Sequence, residues 1–352
     1  CELFTLHNGI TEVTTLAVTP DGKYIISNID DKSLRVWDLK YKEGIRHLNG
    51  HIFAVTAVVV TQNGKHAVSA SNDQTIRMWD LNKWVNVLTL RDHVIAVTGL
   101  TLTPDGKQVI SSSEDKTLKI WHLDSTVETP AVNGHMGAVA AIAITPDGQK
   151  AISASWDRTL KVWDLETGVE INTLQGHLKA VQTLAVTPDG RQVISGSNDT
   201  KLKIWDLDTG REIFTLSGHR LPITAVAITP DQKYILSSSL YECSGMLSSD
   251  KPLRLWDFQS RTEINISEPL MTMLMNMLET HKGLYIPRSE TGGFPNGSIA
   301  AIAVMPDGKQ IIIAINAQNN PVIKIFDLNT GFEVNTLRGH ETPVTTLALT
   351  PD

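Results

Sequence analysis

Apolar and polar residues alternate through most of this chain in short runs, and each run stops at a cluster of Gly, Pro, Asn or Asp. Residues 181–216 show the pattern most cleanly. Val181-Gln182-Thr183-Leu184-Ala185-Val186 alternates and is rich in β-formers, and a Pro188-Asp189-Gly190 turn follows. Next come Gln192-Val193-Ile194-Ser195, an Asn198-Asp199 turn, and Leu202-Lys203-Ile204-Trp205. An Asp208-Thr209-Gly210 turn then leads to Glu212-Ile213-Phe214-Thr215-Leu216. Short alternating runs closed by such turn residues predict antiparallel strands, here four to a unit.

The unit repeats. His51, His93, His135, His177 and His219 follow one another at a step of 42 residues. A fixed period of this size signals a repeat architecture and takes precedence over local assignments. Gly-His recurs at 50–51, 134–135, 176–177, 218–219 and 339–340, with Asp92-His93 in the gap. Each unit closes on Trp37-Asp38, Trp79-Asp80, Trp121-His122, Trp163-Asp164, Trp205-Asp206, Trp256-Asp257 or Phe326-Asp327. This opening and closing resemble the WD40 repeat over nearly the whole chain. The resemblance implies an all-β fold, a seven-bladed WD40 β-propeller of four-stranded antiparallel blades, with residues 1–352 forming a single propeller. Radial repetition of this kind hides sheet edges. Residues 1–6 align with an outermost strand, and 343–352 align with the start of a further repeat. Both ends fall within a repeat, so a piece of a longer array is expected, with an eight-bladed, incomplete ring as the alternative.

Two segments break the period, at 240–248 and at 267–297. In the propeller layout both insertions open on the same face, conventionally the top. The second carries Met271, Met275 and Leu278 in a run that Ser267 can cap and Gly283 can end, which predicts a helix. Met-rich surfaces adapt to varied partners, so this insertion is expected to be either a lid on the propeller mouth or a docking element.

The resemblance also implies a structural His-Ser-Asp-Trp tetrad in each matching blade. The residues are His51, Ser69, Asp73 and Trp79; His93, Ser111, Asp115 and Trp121; His135, Ser153, Asp157 and Trp163; and His177, Ser195, Asp199 and Trp205. His219, Ser237, Asp250 and Trp256 make a fifth set. Ser, His and Asp together also suit nucleophilic hydrolysis, but five copies of one constellation favour a structural role. Family members that bind peptides use positions three and five residues after the His and just before the turn Asp. Those positions single out Trp156, Glu114, Gln182 and Asn198 as partner-binding candidates, with Trp156 the one large aromatic, the residue type favoured at binding hot spots.

Arg35, Arg77, Lys119, Lys161, Lys203, Arg254 and Lys324 stand two residues before each Trp or Phe. A phosphate-binding patch is one reading. Equivalent positions dispersed around a ring and paired with carboxylates is the favoured one. The formal charge of −7 argues against nucleic-acid affinity. Two cysteines suit a reducing cytoplasm, and no run of about 18 apolar residues spans a membrane. No GxxxxGK[ST], CxxC or HExxH motif occurs, so no cofactor or metal is expected.

The function expected is a protein–protein interaction scaffold or ligand-sensing module, not an enzyme. Its repeated phrases are similar to bacterial WD40 arrays, which implies a larger signalling protein with a STAND-type NTPase or kinase domain in the same chain. An enzyme with its site in the funnel is the rival, resting on Glu12, Asp30 and Glu114. Self-assembly through the Met-rich insertion is a third class.

Overall fold

A computed structural model of the chain describes residues 15–29, 32–41, 43–123, 132–240, 251–264, 298–305, 307–316, 322–328, 330 and 332–337. Its strands form seven four-stranded antiparallel sheets, each built from four strands consecutive in the chain. These are blades one to seven, at 16–48, 55–91, 97–133, 139–175, 181–217, 223–264 and 298–337. The first strand of each blade packs beside the first strand of the next, so strand one lies innermost and strand four outermost. The architecture is the seven-bladed β-propeller, with no helix among the described residues. Blade seven takes its outermost strand, Glu333–Leu337, from its own segment. Residues 1–6, 241–248, 267–297 and 343–352 lie outside the described residues, and with them Met271, Met275, Leu278 and the expected helix.

Blade five shows why these sequences make such sheets. Its strands are Val181–Val186, Gln192–Ser197, Lys201–Asp206 and Glu212–Ser217. The first turn is set by Gly190, whose φ of 71° suits a residue without Cβ. Its N–H donates to the Thr187 carbonyl at 2.8 Å, while Thr187 Oγ1 donates to Asp189 Oδ1 at 2.6 Å. A Cβ on Gly190 would meet Pro146 Cδ of the preceding blade at 3.3 Å, so successive turns abut along one face.

The core lies between blades. Val181, Val193, Trp205 and Leu207 pack on Ile152, Leu160, Val162 and Leu174 of blade four. Their strand neighbours Ile194, Leu202, Ile204 and Leu216 point the other way, onto Ile223, Ile235 and Trp256 of blade six. Because adjacent residues on a strand face opposite sides, the second strand needs apolar or small residues at every position. Val193 to Ser197 are accordingly all buried. In blade seven Phe326 takes the tryptophan position and is wholly buried among Leu253, Leu255, Ile311 and Ile313.

Each innermost strand of blades two to seven carries a β-bulge near its upper end, where its pairing with strand two slips by one residue. The bulge frees a side chain to reach sideways. Thr56, Thr98 and Thr224 donate through Oγ1 to the carbonyls of Val97, Val139 and Ile299 in the next blade, at 2.6, 3.1 and 3.1 Å. Gln182 occupies the same bulge position in blade five.

Truncating a side chain between two blades leaves a cavity that neither sheet can close. Ile194→Ala is expected to destabilise the protein by about 3 kcal/mol, read as a lower midpoint in urea unfolding.

Candidate functional site

Strands alternate in direction within a blade. The turn from strand two to strand three and the connection from strand four to the next blade therefore open at one end, the upper face. There the loop histidine meets the turn aspartate. His51 Nδ1 lies 2.9 Å from Asp73 Oδ2, His51 Nε2 lies 2.8 Å from Ser69 Oγ, and Trp79 Nε1 donates to that oxygen at 2.8 Å. The sets His93–Asp115–Ser111–Trp121, His135–Asp157–Ser153–Trp163 and His177–Asp199–Ser195–Trp205 repeat this with every link between 2.7 and 2.9 Å. An indole N–H only donates and a carboxylate only accepts. The bonds therefore run Trp to Ser to His to Asp, with the imidazole proton on Nδ1. In blade six His219 Nε2 and Trp256 Nε1 meet Ser237 Oγ at 2.8 and 2.9 Å, while Asp250 lies outside the described residues.

The carboxylate collects more than the histidine. Asp157 Oδ2 also accepts from the Met136 N–H at 2.8 Å, and its Oδ1 accepts from the N–H and Oγ1 of Thr159 at 2.9 and 2.6 Å. The N–H groups of Ile52, Val94 and Leu178 donate in the same way to Asp73, Asp115 and Asp199, at 3.0, 3.2 and 2.8 Å. Burial by itself would raise these carboxyl groups. Hydrogen bonds from His, Thr and backbone outweigh it, holding Asp73, Asp115 and Asp157 well below the usual carboxylate range and Asp199 at about 2. The residue after each Asp is left-handed without being glycine: Gln74, Lys116, Arg158 and Thr200, at φ 70°, 73°, 76° and 71°. A turn with this conformation is tolerated because the Asp ties down both its sides.

What the tetrad holds in place is an exposed apolar row. The residues whose N–H groups bind the carboxylates are Ile52, Val94, Met136 and Leu178, with 65%, 71%, 83% and 79% of their surface exposed. Phe53 and Ile95 add to the row in blades two and three. In blade four the loop packs directly on the turn. A Cβ on Gly137 would lie 2.7 Å from the Asp157 backbone nitrogen and 3.1 Å from the Trp156 carbonyl carbon. The loop that carries Met136 therefore lies against the backbone of the turn that carries the half-exposed Trp156.

Of the residues singled out from the sequence, Trp156 and Glu114 are exposed on this face, and Lys116, Arg158 and Lys179 are exposed beside them. Asn198 is partly buried, its N–H donating to the Ala180 carbonyl at 2.9 Å. Gln182 is partly buried at the bulge of the innermost strand. Sequence reasoning passed over the apolar row, although an apolar residue directly after the His in four successive repeats was visible.

Chemically, the Ser–His–Asp order matches that of a hydrolytic triad, but Ser69, Ser111, Ser153 and Ser195 have no exposed surface. The indole N–H of each tetrad also occupies the serine oxygen, so no substrate reaches it. Among the described residues no three His, Cys, Asp or Glu side chains converge to hold a metal ion. Glu12 and Asp30 lie outside those residues.

A protein-family model described as WD domain, G-beta repeat matches residues 2–38, 42–80, 84–122, 127–164, 168–206 and 210–257. No curated protein matches the chain significantly.

A depressed carboxyl contributes stability that is complete above the unfolded value of 3.8 and is lost as pH falls through the folded value, about 2 for Asp199. Asp199→Asn is expected to lower stability by roughly 3 kcal/mol at neutral pH. The gap in melting temperature between variant and wild type should then narrow between about pH 4 and 2, which thermal scans across that range would reveal.

Proposed function

The chain belongs to the WD40-repeat family, whose propellers are typically protein-interaction scaffolds, and we propose that this one docks another protein on the upper face of blades two to five. The observation that carries the reading is the exposed row Ile52, Val94, Met136 and Leu178, each anchored at its backbone by a buried carboxylate. Exposed apolar residues recurring at one position on one face of neighbouring blades support an interaction site there. A row held on rigid turns binds without an ordering penalty. Trp156 supplies an aromatic anchor in the same blade as Met136, and Glu114, Asn198 and Gln182 supply polar neighbours. Met271, Met275 and Leu278 of the long insertion, outside the described residues, serve in this reading as a second docking element.

The reading is non-catalytic and needs no cofactor. It sets the array in the cytoplasm as the sensing part of a larger signalling protein, joined to an NTPase or kinase domain. Support for that setting is the similarity of its low-drift repeats to bacterial arrays. Among the described residues no helix is long and apolar enough to cross a membrane.

Peptides selected from a displayed random library on the full chain test the surface. Met136→Glu combined with Leu178→Glu is expected to weaken the selected peptides at least about tenfold. The melting temperature should stay unchanged, because both side chains are exposed. Undiminished binding by this double variant would rule out the upper face as the docking surface.

A further inference from the structure

One repeat position is cationic in all seven blades, and in five the charge is neutralised within the protein. Lys161 meets Glu170 at 2.7 Å, Lys203 meets Glu212 at 2.6 Å, and Arg254 and Lys324 meet Glu263 and Glu333 at 2.5 Å. Each of these acids lies nine residues downstream, on the outermost strand. In three of the blades a threonine three residues further on donates to the same glutamate: Thr173, Thr215 and Thr336. Lys119 pairs instead with Asp92 from the preceding loop.

Blade two keeps the slot and omits the charge. Nine residues after Arg77 stands Asn86, whose Oδ1 accepts from Thr89 Oγ1 at 3.1 Å as the glutamates accept from their threonines. Its amide nitrogen is turned to the Leu88 carbonyl at 3.1 Å. No acid pairs with Arg77 among the described residues, and its Nε, like that of Arg35 and of the ion-paired Arg254, is buried without a hydrogen-bond partner. Among the described residues no acid pairs with Arg35 in blade one either, Gly44 taking the equivalent place. Its guanidinium is spread over Trp37, 4.3 Å from the ring centre. Arg77 Nη1 lies 2.8 Å from where a Cβ on Gly50 would sit, at the foot of the His51-Ile52-Phe53 loop.

A guanidinium that has lost part of its hydration on folding, and recovers no ion pair, is a preorganised receptor for an anion. We infer that Arg77 anchors an acidic side chain of the docked protein, whose carboxylate enters the slot that Glu170 and Glu212 fill from within their own blades. This rests on the upper face being the docking surface and adds the partner's chemistry: a glutamate or aspartate next to an apolar residue that covers Ile52 and Phe53. Lys116, Arg158 and Lys179, exposed along the same face, favour an acidic segment too. A carboxylate is the fitting anion because the matching slots in four blades each hold one.

The test compares selected peptides with counterparts in which each acid is replaced by its amide, on the full chain and on Asn86→Glu. That substitution places the missing carboxylate within the protein, with Thr89 ready to orient it. Asn86→Glu is expected to fold with an unchanged or raised melting temperature. On wild type the amide peptide should bind about tenfold more weakly, and on Asn86→Glu acid and amide should bind alike. Selected peptides that lack acids, or an acid preference that survives Asn86→Glu, would overturn the anchor while leaving the docking surface standing. A selection that yields no binding peptide at all counts against both.

Discussion

The buried carboxylate in the upper turns of blades two to five is the constraint on which the rest depends. Asp73, Asp115, Asp157 and Asp199 each join three pieces of chain: the loop histidine, the backbone beyond it, and the turn that carries the Asp itself. An unpaired acid at such depth would cost several kcal/mol, so its hydrogen bonds are obligatory. They dictate the imidazole tautomer, orient Ser and Trp below, and hold a non-glycine residue in left-handed conformation alongside. They also determine where Ile52, Val94, Met136 and Leu178 emerge. Stability and the proposed docking surface thus share the same four carboxylates.

Blade packing complements this. Every interior sheet is covered on both faces, so the apolar residues of strand two serve two neighbours at once, and the bulge threonines cross from one innermost strand to the next. The outermost strands pack through residues such as Leu174 and Leu216, and in four blades they are tied to strand three by charge, through Lys161–Glu170 and its counterparts. Where that tie is missing in blade two, at Arg77, the sheet stays intact, because Asn86 keeps the hydrogen bond to Thr89.

Much of the fold was legible in the sequence, and the reason is repetition. The 42-residue step of the histidines, the turn residues and the closing Trp-Asp pairs each report a local backbone requirement, and local requirements are written locally. The site was legible in part. Trp156 stood out as a large aromatic beside a tetrad Asp. The residues after the histidines did not, because an apolar residue in a strand-rich sequence is more often core than surface. The cationic positions were expected to be paired, and for Lys161, Lys203, Arg254 and Lys324 a glutamate nine residues on was there to be found.

By itself, then, the sequence determined the class of fold, the strands, and the identity of the tetrad residues. Each of these follows from short-range alternation and spacing. Tertiary structure decided exposure and pairing: that Met136 points outward while Val139 is buried, that Gly137 lies against Trp156, and that Lys119 finds Asp92 while Arg77 finds no acid among the described residues. Those outcomes depend on how one blade's loop lies against a turn or strand brought to it by folding, a distance that no pattern along the chain encodes.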